Sequence, residues 1–384
     1  MMDSFEKELS IYIHIPFCVR KCLYCDFLST PASEEIRTRY TDRLMQEIQR
    51  ESESYVNYKV KTIYIGGGTP SLLEPDQISR LMNALRENYL LDKNCEISME
   101  VNPGTCSQDR ADAWKYSGIN RVSIGLQSLD DKELKALGRI HNADDFYQTY
   151  EQLVKTGFNN INIDLMTAIP GQTIESCSRT IRGVTALQPA PVHISAYSLI
   201  IEEGTPFFEN MPVLPDEDTE REMYKITNDI LFKSGYYRYE ISNYAKSGFK
   251  CRHNQVYWQR GNYVGFGIGA ASLVENVRFS NGKDLKKYLE GDPVKESRQE
   301  LSREEQMEEF MFLGLRMTGG IKEREFQKLF GRTVDQVYPG IVDKYVKNGL
   351  LKRVYDILEG EERIALTDRG IDLSNVVMAD FLLT

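Results

Sequence analysis

Three cysteines fall within eight residues, Cys18, Cys22 and Cys25 in CVRKCLYC, directly after the alternating run IYIHIP. Thiolates are soft ligands, and three on one short loop select zinc, copper(I) or an iron–sulfur cluster. Structural zinc requires four closed ligands, usually as two separated pairs, and only Cys251 and His253 offer a distant supplement. A four-iron, four-sulfide cluster on three cysteines instead leaves one iron open to a substrate or cofactor. Phe17, Tyr24 and Phe27 surround the loop and would give such a cluster an apolar, aromatic wall. The other four cysteines, Cys95, Cys106, Cys177 and Cys251, are scattered and read as small core hydrophobes.

Further along, glycines and polar residues recur at the ends of short β-branched runs. GGGTP, residues 66–70, follows one run, and its missing side chains let backbone approach a ligand closely. Glu100 ends the next and can accept hydrogen bonds from a ribose or an ammonium. Gln127 ends a fourth run, Arg139 follows it, and Asp164 lies on a fifth. One such residue alone is ordinarily a solvated or paired surface group. Five successive strand ends of this kind form a pattern, because barrel enzymes gather their site where the loops leave the strands.

The elements that would position these groups alternate in type. Runs at 11–16, 60–69, 95–101, 121–127, 160–166 and 193–199 read as strands, and 34–54, 74–90, 107–117, 144–156 and 173–187 as helices. Strands separated by helices predict βα units and parallel pairing. The expected α/β fold is a partial (β/α) TIM-like barrel over residues 1–295, with a Gly-rich run at 261–272 near its end. Charged residues 291–306 read as a linker. Beyond it, three helical patterns and a hairpin outline a small winged-helix-like domain over 296–384.

Charge excludes one class of partner. The net charge is −10, and residues 301–384 hold 12 Lys and Arg against 15 Asp and Glu. A nucleic-acid reader should be basic, so the small domain is expected to pack or cover rather than to bind DNA. No run approaches the roughly 18 apolar residues of a membrane span. The opening MMDSFEKELS lacks the apolar core of a secretory signal, which predicts a reducing, cytoplasmic home with free thiols.

The cysteine loop resembles the signature of the radical S-adenosylmethionine (SAM) superfamily. That resemblance implies a [4Fe-4S] cluster on Cys18, Cys22 and Cys25, with SAM on the open iron. It also implies an electron donor and one-electron cleavage of SAM to methionine and a 5′-deoxyadenosyl radical. By the same resemblance Tyr12, Gly67, Gly68, Thr69, Glu100, Gln127, Arg139 and Asp164 contact SAM, and Tyr24 meets its adenine. The whole chain is similar to the oxygen-independent coproporphyrinogen III oxidase family. Its dehydrogenase branch adds a fourth cysteine where Phe27 stands here, and a longer N-terminal arm. HNQVYW, residues 253–258, matches the His-Asn-x-x-Tyr-Trp motif of the family's haem-chaperone branch. His253 would then ligate haem iron while Tyr257 and Trp258 stack on the macrocycle. The plainer alternative is a satisfied histidine at a turn with Trp258 in an interdomain core. The expectation is a chaperone that binds cluster, SAM and haem and passes haem to an acceptor protein, with no catalytic residue assigned. The alternative is the dehydrogenase, which decarboxylates two propionates of coproporphyrinogen III.

Overall fold

Strand alternation decides what lies inside. In a computed structural model of the chain, which describes residues 7–291, 295–357 and 360–383, six strands follow in order as parallel neighbours. They are β1 (Lys7–Ile15), β2 (Tyr58–Gly67), β3 (Leu90–Val101), β4 (Arg121–Gln127), β5 (Ile161–Thr167) and β6 (His193–Ser198). Residues 1–6 of the N-terminal stretch discussed above lie outside the described residues. On one face Ile13, Ile65, Met99, Val122, Ile163 and Ile194 are fully buried in the main hydrophobic core. The opposite face is polar. Tyr12, Tyr64, Ser98 and Arg121 share one register row, and Glu100, Ser123, Asn162 and His193 share another. Barrel interiors are normally filled by branched apolar side chains. A polar lumen is therefore a site, and the apolar core lies outside it, beneath the helices.

Those helices begin where their caps demand. Glu74, Ser107 and Thr173, expected as first helical residues, are the N-caps of Pro75–Asn88, Gln108–Tyr116 and Ile174–Thr185. The Ser107 and Thr173 hydroxyls accept the free N–H of the first turn. The barrel is open, as expected. Tyr263–Phe266 adds parallel to β1 on one side, and the short strands Asn243–Ala245 and Tyr237–Arg238 extend the sheet past β6 on the other.

The stretch expected as a linker is not one. Lys295–Glu300 pairs antiparallel with Val277–Asn281 as the outermost strand of the large sheet. Every residue of it is exposed, so nothing apolar alternates to reveal the strand. Residues 292–294 lie outside the described residues. The helix Arg303–Gly314 then opens the small domain. It is followed by Ile321–Lys322, the helices Glu323–Phe330 and Ile341–Lys347, and the hairpin Leu351–Asp356 and Glu361–Leu366. This unit has its own three-stranded sheet and its own core around Phe326, Phe330, Tyr338 and Phe381. No helix among the described residues is long and apolar enough to cross a membrane.

Glu309, 5% exposed, joins the two units, accepting from Arg260 at 3.0 Å and from Arg278 at 2.7 Å. Removing one partner of a buried pair leaves the other charge uncompensated. Glu309→Ala is expected to lower stability by about 3 kcal/mol, read as a fall in the urea unfolding midpoint. An unchanged midpoint would show that the joint contributes nothing.

Candidate functional site

The cysteine loop leaves β1 at Ile15 and is pinched at its base. Cys18 N donates to Thr30 O at 3.2 Å, and Thr30 N donates to Pro16 O at 2.9 Å. Cys18, Cys22 and Cys25 are free, half-buried thiols. They line a cavity of about 330 Å³ together with Tyr24, Gly67, Gly68, Thr69, Glu100, Gln127, Arg139 and Asp164. Among the described residues, no three Cys, His, Asp or Glu side chains converge on a single ion. Tyr12 is not on the cavity wall, and its hydroxyl bonds to His14 Nδ1 at 3.0 Å.

The glycine run is explained by contact. A Cβ on Gly68 would stand 2.7 Å from the Phe17 carbonyl oxygen, at the root of the cysteine loop. Gly67, at φ +115°, would drive a Cβ to 2.5 Å from the His14 ring. Gly68 N donates to Ile15 O at 2.8 Å, so the end of β2 lies flush against the loop. Cys18 Sγ meets Thr69 Oγ1 at 3.4 Å.

Arg139 arrives from a helix the sequence did not reveal, Asp131–Ala136, capped by Asp130. Its Nη1 donates to Cys22 Sγ at 3.6 Å, and its Nη2 donates to Asn102 Oδ1 at 2.9 Å and to Gly125 O at 2.7 Å. Asn102 Nδ2 passes the network on to Thr69 Oγ1 at 2.8 Å. Gln127 sits at φ +73° where the β4–β5 register slips, and accepts from Tyr197 OH at 3.1 Å. Such backbone strain costs about 1–3 kcal/mol and is held only where the surroundings over-determine it.

Two carboxyls face each other's field within the lumen. Glu100 accepts from Tyr64 OH and from Gly67 N, both at 3.0 Å. Burial, then the neighbouring Asp164, pushes its pKa up to about 7. Burial also raises Asp164, against hydrogen bonds from Ser195, Asn162 and Ser123. Burial lifts the Cys25 thiol to about 11, so a metal must displace its proton to bind.

The residues fit a thiolate-held cluster with a polar ligand beside it. All three sulfurs open on one cavity, donors from Thr69 and Arg139 reach two of them, and glycines clear the backbone approach. Sequence reasoning missed other wall residues: Asn102, Arg121, Ser123, Asn162, Ser195, Tyr197 and Asn243. The signal was present as polar residues two apart on β3 to β6, the same period that hides the apolar face outward.

His253, expected to ligate haem iron, is enclosed in this structure. The ring is 1% exposed, stacked on Tyr64, with Nδ1 against Thr62 Oγ1 at 2.7 Å and Nε2 against Tyr257 OH at 2.8 Å. Burial, with Arg121 nearby, lowers its pKa to about 3. Both imidazole nitrogens are engaged, and Tyr257, half-buried, packs edge-on against His253 and Tyr263. Trp258 is covered by the Arg316 guanidinium, 4.2 Å from its ring centre, at the joint with the small domain. Cys251 is fully buried, its Sγ 3.7 Å from Glu96, as a core thiol should be.

The radical SAM superfamily model matches residues 12–183, and the HemN C-terminal domain model matches residues 301–373. The chain is 36% identical to the haem chaperone HemW of Lactococcus lactis subsp. lactis (strain IL1403), over 98% of each chain. It is 36% identical to the haem chaperone HemW of Bacillus subtilis (strain 168), over 97% of this chain and 99% of that one. Among solved structures it resembles the radical SAM enzyme coproporphyrinogen III oxidase HemN of Escherichia coli, with a TM-score of 0.85. That match has 24% identity over 98% of this chain and 91% of the other, which establishes a common fold.

Because the folded chain holds a proton on Glu100 up to about pH 7, while an ordinary Glu releases it near 4.5, stability falls as pH rises through that window. Glu100→Gln is expected to flatten the fall by at most about 3 kcal/mol between pH 5 and pH 7.5. Asp164 should keep a remainder of the slope. Identical urea-midpoint profiles for both proteins across that range would refute it.

Proposed function

This chain belongs to the radical SAM superfamily and, over its whole length, to the family of the haem chaperone HemW, and from that membership we propose its task. It binds a [4Fe-4S] cluster, SAM and haem, and hands haem to an acceptor protein. The observation that carries the reading is the single cavity shared by three free thiols, the glycine run and the polar strand ends. Cys18, Cys22 and Cys25 hold the cluster. Gly67, Gly68 and Thr69 give SAM backbone to lie against, Glu100, Gln127, Arg139 and Asp164 its polar contacts, and Tyr24 its adenine wall. When bound, the cluster and SAM supply one-electron chemistry, for which an electron donor is required.

The chain's own groups do the rest. Arg139 donates to the Cys22 sulfur and so holds it in place on the cavity wall. Glu100 and Asp164 offer acceptors whose protonation responds to what lies between them. Phe27, 61% exposed, stands on the cavity wall and supplies no fourth thiol, which favours the chaperone over the dehydrogenase. Leu23, Ile140 and Phe208 are also exposed near the loop, since Leu23 bonds through its backbone to Leu137 and Phe207. Apolar side chains at a mouth suit a flat, apolar ligand that must leave again.

Anaerobic reconstitution with iron and sulfide is expected to give iron–sulfur absorbance in the wild type and none in Cys22→Ala. A complete four-iron cluster in that variant would mean the site lies elsewhere. Haem titration should give a saturable Soret band, unshifted in His253→Ala because that ring is closed in. A shifted or lost band would return His253 to the haem. Coproporphyrinogen III with SAM and reductant should yield no protoporphyrinogen beyond one turnover, and sustained formation would replace the chaperone with the dehydrogenase.

A further inference from the structure

The start of β4 sets into the cavity wall a buried guanidinium that lacks hydrogen-bond partners for two of its nitrogens among the described residues. Arg121, at the start of β4, is 2% exposed and lines the cavity. Its Nε and Nη1 are buried without a hydrogen-bond partner among the described residues. A buried guanidinium left in this way costs several kcal/mol relative to a paired one. The neighbouring acids are committed elsewhere. Glu96 accepts from Arg252 N and His253 N, both at 3.1 Å, and from the Cys251 thiol. Glu100 and Asp164 are held by Tyr64, Gly67, Asn162 and Ser123.

We propose that the lumen floor is a carboxylate-binding subsite anchored by Arg121. Asn254 lines the same space, and its amide N–H can donate to a carboxylate. The planar fork of a guanidinium matches a carboxylate with two parallel hydrogen bonds. A single negative charge fits better than a phosphate dianion, because Glu100 and Asp164 already stand in the cavity. The subsite adjoins Glu100, two residues along the sheet, and lies deeper than the contacts of Arg139. Arg121 lies four residues before Gly125, where Arg139 docks, a rise of roughly 13 Å along the strand. The carboxylate belongs to a free short acid or to the acid arm of a larger ligand. The assignment rests on Arg121 and its surroundings, and holds whether or not the chain carries haem.

The test uses reconstituted, SAM-saturated protein titrated with sodium propionate against sodium chloride at constant ionic strength, reading the thermal unfolding midpoint. The wild type should show a propionate-specific rise. Arg121→Gln should weaken it at least about tenfold, the order expected for charge-assisted hydrogen bonds, while keeping its iron–sulfur absorbance. Crystals soaked in 3-bromopropionate should show bromine anomalous density beside Arg121, which decides the matter even if the variant folds poorly. Haem against haem dimethyl ester separates the two sources, since only an acid arm makes the ester bind more weakly to wild type and not to Arg121→Gln. An equal rise in Arg121→Gln, or bromine absent from the lumen floor, overturns the subsite. Propionate binding without haem binding would retire the haem reading alone.

Discussion

One guanidinium ties the mouth of the barrel together. Arg139 reaches the Cys22 sulfur, the Asn102 side chain and the Gly125 carbonyl, and Asn102 relays the connection to Thr69. The cysteine loop and the ends of β2, β3 and β4 are thereby held to a common centre. A guanidinium is a demanding centre because its donors lie in a fixed plane and cannot shed their proton. If any one strand end drifted, an enclosed charge would lose a partner, at a cost of a few kcal/mol. The short Asp131–Ala136 helix and the turn at Gly138, φ +75°, exist in effect to deliver this side chain.

The centre works only because the interior is polar. Strands that bury apolar residues outward under helices must turn their other face somewhere, and in an open barrel that face meets a cavity instead of a packed core. The row from Tyr12 to Arg121 and the row from Glu100 to His193 are therefore two sides of one decision made by alternation. Not all of this face is available to a ligand. His193, fully buried, is engaged by Asn162 at 2.5 Å and by Tyr239 at 2.8 Å, so part of the lumen is internal scaffolding.

Much of this was legible in the residues. Cys18, Cys22 and Cys25 announce themselves by spacing, and Glu100, Gln127, Arg139 and Asp164 by their place after strand-like runs. All of them reach one cavity. Arg121 was not visible, because it stands at the start of a strand, away from the loop ends where barrel sites gather. The strand Lys295–Glu300 was hidden by its exposure, since an edge with no buried face needs no hydrophobic pattern. The surroundings of His253 were hidden for a different reason. A histidine's chemistry depends on whether its nitrogens are free, and Thr62, which engages one of them, lies far away in sequence. Motif and ring are both present, yet the ring is a strut between β2 and the Arg252–Trp258 helix, whose Trp258 in turn leans on Arg316 of the small domain.

The cysteine loop has a further consequence through its exposure. Val19 and Phe27, on either side of Cys22, are 59% and 61% exposed, and the three sulfurs are only half-buried. A loop that admits a ligand the size of SAM also admits dissolved oxygen. The loaded protein is thus a perishable form, and how long it lasts depends on the gas its surroundings contain as much as on the stability of its fold.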